Sequence, residues 1–386
     1  MRPGNRGWLA AALLVIVLGI ALLYAYRNSS SVPAQSPAPT TAAIASPSPP
    51  VPSSSTPATS TPTSSASPSG TAEAPLPGTE RFAIVVDQGC SPPGPPPFVR
   101  REDRDEVIAT LGNGYLCQLR GAVSPDGRKL AYWLFENGRS EVALYQNGTT
   151  TTLFRLGDEL LANLVWSSDG TGILFVAMKG GVQGVPPEYA ALRTHDVASG
   201  SGSELLRERG VFFAPLAWDR GRRLTAATLT REPLAPSEYL EVTENNVVAR
   251  YTLAAGISVA GASPDAALVI AQQTGVLWYW PIGSFADQKE LRPEAGAGAG
   301  SVAWRPGSRE LAVVVTNASS MRLELWSLDG ARRRLVDFTG QRGGLFFRPD
   351  GSVIFLGGAV AIDVATGREA RFVLAGSQRI AASVLR

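Results

Sequence analysis

The chain has 386 residues, 44% hydrophobic and 18% charged, with a formal net charge of +2. That is enough apolar material for a sizeable core, and no basic stripe runs through it, so nucleic acid is not an expected partner. A single histidine, His195, and two cysteines, Cys90 and Cys117, leave no zinc-type ligand cluster and at most one candidate for a histidine-based triad.

Residues 1–27 read as a membrane anchor. Trp8 to Tyr26 is an uncharged apolar run of 19 residues, long enough to cross a hydrocarbon core as a helix. Arg2, Arg6 and the amino terminus precede it and only Arg27 follows closely, which keeps the N-terminus inside and puts the rest of the chain outside the cytoplasmic membrane. The alternative is a cleaved signal peptide and a secreted product. Residues 28–79 are a linker of Ser, Thr, Pro and Ala with one charge, Glu73. Such a composition cannot bury a core. Its reach lies between roughly 40 Å as a coil and roughly 150 Å fully extended.

Residues 80–386 carry a repeat. Its clearest copy is Ala122 to Trp133, AVSPDGRKLAYW. An apolar run meets Ser124-Pro125-Asp126-Gly127, and an alternating run follows. Proline presets φ, Asp bonds its own backbone and Gly accepts positive φ, so the unit reads as strand, turn, strand. The residues opening the turns are Ser124, Ser167, Asp219, Ser263, Arg305 and Arg348, at steps of 43, 52, 44, 42 and 43. That period specifies a β-propeller with one blade per repeat.

Within the first repeat, strands a to d are expected at Gly121–Val123, Lys129–Phe135, Glu141–Gln146 and Thr151–Arg155, with a hairpin at Asn147-Gly148. Arg81–Asp87, Phe98–Arg101 and Glu106–Leu111 look like strands b, c and d without an a; Ile380–Leu385 looks like a lone strand a. The fragments complement each other, and a ring that fails to close leaves raw sheet edges. The expected fold is therefore all-β, a seven-bladed propeller closed by one blade shared between the termini. Six blades is the alternative.

The Ser124–Tyr132 unit, S-P-D-G-x-x-L-A-Y, resembles the WD-like repeats of TolB-type propellers. The resemblance covers residues 80–386 and weakens in the third unit, where Asp219-Arg220-Gly221 replaces the turn. It implies a fold and, more loosely, scaffolding of protein contacts outside the cytoplasmic membrane. TolB also has an N-terminal α/β domain, whose place is taken here by the linker.

In a propeller the b–c and d–a connections share one face. The long b–c insertions are Gln88–Pro97, Met178–Pro187 and Thr228–Ser237, and long loops on a rigid scaffold tend to carry binding residues. The expected contact groups of this rim are Phe98, Arg100, Arg101, Glu188, Tyr189, Arg231, Glu232 and Tyr239; the competing reading is tolerated decoration. Cys90 and Cys117 fall on the same face and read as a disulfide worth roughly 2–4 kcal/mol, against two free thiols. Trp166, Trp218 and Trp304, at the ends of strand a, read as inter-blade packing. So do Trp278 and Trp280, which alternation sets on one face with Tyr279 on the other. His195, on strand c, reads as structural.

No G-x-S-x-G elbow occurs, and neither a metal nor a cofactor is called for. The expected function is a non-catalytic scaffold binding a protein or an envelope polymer. The alternative is a propeller hydrolase or lyase acting on wall glycan, distinguished by carboxylates converging on the central channel.

Overall fold

The computed structural model describes residues 76–88, 96–112, 119–136, 139–180, 186–231, 236–244, 246–318, 320–338, 344–375 and 378–386. The strands form seven four-stranded antiparallel sheets. Six run consecutively, with first strands at Gly121–Val123, Leu160–Trp166, Phe212–Asp219, Ser258–Ala262, Gly298–Trp304 and Leu345–Phe347; these are blades 1 to 6. The seventh joins Gln378–Leu385 to Phe82–Gln88, Phe98–Arg101 and Val107–Thr110, and is the shared blade. Seven blades, not six, make the ring. Among the described residues no helix is long and apolar enough to cross a membrane; the anchor segment, Trp8 to Tyr26, lies outside those residues, as do Cys90 and Cys117.

The turn chemistry is local and repeated. In blade 1 the Ser124 hydroxyl lies 2.5 Å from Asp126 Oδ1 and accepts the Lys129 amide at 3.0 Å, while Gly127 takes φ 75°. Blade 2 repeats this with Ser167, Asp169 and Gly170, and blade 4 with Ser263, Asp265 and, in the glycine's place, Ala266 at φ 53°. Asn147 and Gly148 both have positive φ, as a two-residue hairpin loop of the primed type requires.

Packing explains why the strands are apolar on both faces. The buried side chains fall into seven clusters, one at each junction between neighbouring blades. In strand b of blade 1, Leu130 and Tyr132 enter the junction with the shared blade, while Ala131 and Trp133 enter the junction with blade 2. Trp278 and Trp280 pack toward blade 3 and Tyr279 toward blade 5, as alternation dictates. Trp166 joins the blade 1–2 junction, its indole N–H donating to the Ala122 carbonyl at 2.8 Å. His195 is buried, with its ring 4.4 Å from that of Phe154, and burial lowers its pKa.

Closure is more than strand pairing. Phe82 to Gln88 pairs with Leu385 to Gln378, and Arg379 donates to the buried carboxylate of Asp87 at 2.7 and 3.1 Å. At the other end of the same strand, next to Phe82, Arg348 of blade 6, 1% exposed, donates to Glu102 of the shared blade at 3.0 Å and to the Pro77 carbonyl at 2.6 Å. Leu76 is buried in the same junction, so packing starts four residues before residue 80.

Candidate functional site

The long-loop face is built from the starts of strands c and the d–a connections. On blade 2, Glu188 is exposed and Tyr189 opens strand c. The Tyr189 hydroxyl donates to Glu159 at 2.8 Å, and the Arg207 guanidinium lies 4.2 Å from its ring centre. The hydrogen bond to Glu159 raises the Tyr189 pKa. Glu159, nearly buried in the d–a connection, also accepts both terminal nitrogens of Arg193 at 2.5 and 2.8 Å. On blade 3, exposed Arg231 lies 3.2 Å from Glu208 and 3.3 Å from Glu238. Arg250 closes the square at 2.6 and 3.1 Å from the same two carboxylates.

Other expected rim groups go elsewhere. Phe98 is half-buried in the junction between blade 6 and the shared blade. Arg100 is nearly buried mid-strand, 2.9 Å from Asp105. Arg101 sits at the far end of the same short strand, bonded at 2.8 Å to Asp103, and this bond pulls the Asp103 carboxyl down to about 2. A strand of four residues carries both arginines toward the opposite face. Tyr239 is fully buried, with its hydroxyl donating to Glu241 at 3.0 Å, and desolvation raises its pKa strongly. It belongs to the core and offers nothing to a ligand at the rim. Glu232 lies outside the described residues.

The structure thus brings Tyr189 and Arg231 onto one stretch of face with groups that sequence reading overlooked: Glu159, Arg193, Glu204, Arg207, Glu208, Glu238 and Arg250. One signal was available, because Arg193 and Glu204 are directly opposed across strands c and d. The carboxylates here are tied to arginine, which suits a fixed polar docking surface better than acid–base work.

The innermost strands are close to neutral. First strands of neighbouring blades lie against one another around the centre. Among their residues only Asp219 and Arg379 are charged, and both are paired, with Arg222 and Asp87. Their exposed positions include Gly121, Asn163, Ser258, Ala260 and Ser301. No group of three or more His, Cys, Asp or Glu that could hold a metal ion occurs among the described residues.

No family model matches the chain, and no curated protein matches it by sequence. Solved structures do. TolB from Acinetobacter baumannii is 17% identical with a TM-score of 0.44, over 69% of this chain and 66% of that one. A prolyl endopeptidase is 14% identical with a TM-score of 0.53, over 79% and 53%. The β-propeller domain of the Trilobed protease from Pyrococcus furiosus is 13% identical with a TM-score of 0.48, over 77% and 97%. This chain spans just under two thirds of the TolB chain and about half of the prolyl endopeptidase. What it is similar to in them is the fold, a β-propeller.

Proposed function

We propose that the propeller is a non-catalytic binding scaffold, held outside the cytoplasmic membrane by the N-terminal apolar segment and the Pro-rich linker, and that it captures a protein or an envelope polymer on its long-loop face. The observation that carries this reading is the neutral channel. The alternative, a glycan hydrolase or lyase, needs carboxylates converging on the channel from the long-loop face. The one carboxylate on the innermost strands, Asp219, ends its strand at the a–b turn on the opposite face and is bonded to Arg222. Near the rim, Glu159, Glu208 and Glu238 are each paired with one or two arginines, which leaves them occupied. A Cys90–Cys117 disulfide, in this reading, ties the shared blade's long loop to the entrance of blade 1.

The test is capture from an envelope extract by the full chain in detergent, beside a variant with segments 89–95, 181–185 and 232–235 shortened. A partner taken by the full chain and lost with the segments supports the reading. Equal capture by both moves binding to the other face. Release of soluble fragments from purified wall glycan by the full chain would replace the scaffold with the hydrolase.

A further inference from the structure

On the face opposite the long loops, blades 2 and 3 leave a cavity of about 290 Å³. At ~30 Å³ per water it has room for about ten water-sized atoms. Trp218 and Leu205 supply its apolar surface, Thr225 a hydroxyl, and Arg220, Arg223 and Glu244 its charges.

The three arginines of the blade 3 turn have different fates. Arg220 reaches back to blade 2, 2.8 Å from Asp196, with its guanidinium 5.2 Å from the Trp218 ring centre. Arg222 reaches forward to blade 4, donating to the Ile282 and Ala266 carbonyls at 3.0 and 3.1 Å. Arg223 makes no side-chain hydrogen bond or ion pair among the described residues, and neither does Glu244 across the cavity. Thr225, 2% exposed, lines the floor between them. Two opposite charges, both exposed to solvent, therefore face one cavity without pairing with each other.

The turn is also built differently. In blades 1, 2 and 6 the fourth residue of the turn is a left-handed glycine, and in blade 5 the third is. In blade 3 the left-handed residue is the fifth, Arg223 at φ 52°. An arginine there is strained where glycine would not be. Of the non-glycine residues with positive φ among those described, Arg223 alone is charged.

We propose that this cavity binds a small zwitterionic ligand of α-amino-acid or short-peptide chemistry, with its carboxylate on Arg223, its ammonium on Glu244 and its apolar part against Trp218. Arg220, already neutralised by Asp196, shapes the wall. The site lies on the face opposite the rim, so the fate of the scaffold reading does not decide it.

Isothermal titration of the full chain in detergent with L-alanyl-L-alanine tests the proposal, with the C-amidated and N-acetylated dipeptides as controls. For a ligand of this size a dissociation constant of ~1 mM is expected. Amidation or acetylation each weakens binding about tenfold or more. Arg223→Gly relieves the left-handed strain, so the fold keeps or gains thermal stability while dipeptide affinity drops by about tenfold. In that variant amidation makes no further difference. Glu244→Gln does the same for acetylation. Absence of saturable binding up to ~10 mM overturns the proposal. So does an amidated dipeptide that binds as well as the free one, or an Arg223→Gly chain with unchanged affinity.

Discussion

Arg348→Met is the perturbation that reads the ring closure most directly. The native side chain is 1% exposed and donates to Glu102, Asp350, Ser352 and the Pro77 carbonyl. Glu102 is itself nearly buried, and burial pushes its carboxyl up from 4.5 to about 7 despite the arginine. At pH 5 Glu102 is protonated with or without Arg348, so the variant loses hydrogen bonds and packing only, about 2 kcal/mol. At pH 8 the native carboxylate is ionised and paired. Without the arginine it is pushed higher still and stays protonated, forfeiting a further RT ln(1 + 10) of about 1.4 kcal/mol. The full loss is then about 3.5 kcal/mol. With an unfolding entropy of ~0.65 kcal/mol/K for some 310 residues, Tm falls by about 3 °C at pH 5 and about 5 °C at pH 8. Calorimetry or urea denaturation at the two pH values measures this. A loss equal at both, or larger at pH 5, would refute the reasoning that Arg348 eases the ionisation of buried Glu102.

The native protein has its own pH signature from the same group. The folded pKa lies above the unfolded one, so the contribution is complete below pH 4.5 and is lost as pH rises to about 7, amounting to about 3 kcal/mol; denaturation midpoints across that window, compared with Glu102→Gln, check it. Gly127→Ala is expected to cost more than Gly148→Ala. Both have φ near 75–79°, but a Cβ on Gly127 would lie 2.3 Å from Pro349 and one on Gly148 would meet nothing; the excess is about 1–3 kcal/mol of overpacking, read by urea midpoints. Trp166→Phe removes the indole donor from the Ala122 carbonyl between blades 1 and 2 and lowers stability by about 1 kcal/mol, measured the same way. Tyr239→Phe removes a buried bond to Glu241 at a similar cost, and capture on the long-loop face stays unchanged.

The fold was legible because its signals are local and repeated. Ser124 to Gly127 states its turn within four residues, and Lys129 to Trp133 states a strand buried on both faces. Even closure could be read, since a terminal a strand complements a terminal b–c–d set. What escaped were the contacts between distant segments. Glu102 and Arg348 are 246 residues apart, and neither looks unusual in its own stretch. Leu76 and Pro77 resemble the linker they end, and only the junction that receives them shows they belong to the ring.

The candidate site was harder to read for a related reason. A blade buries both faces against its neighbours, so alternation cannot separate an outward residue from an inward one, as it does in a sheet with one wet face. Tyr239 follows a long loop and looks like a rim group, but its strand places it in the blade 3–4 junction. Arg100 and Arg101 look like rim charges, but Phe98–Arg101 is so short that its third and fourth residues already approach the other face. With the strand faces taken by packing, variable chemistry collects at strand ends and on the outer strands. That is where Tyr189, Arg231, Glu208 and Arg250 lie on one face, and Arg220, Arg223 and Glu244 on the other. The third repeat looked merely degenerate in sequence. Its missing Pro-Asp-Gly is what lets three arginines occupy one turn, two of them bracing the neighbouring blades and the third left free to meet a ligand.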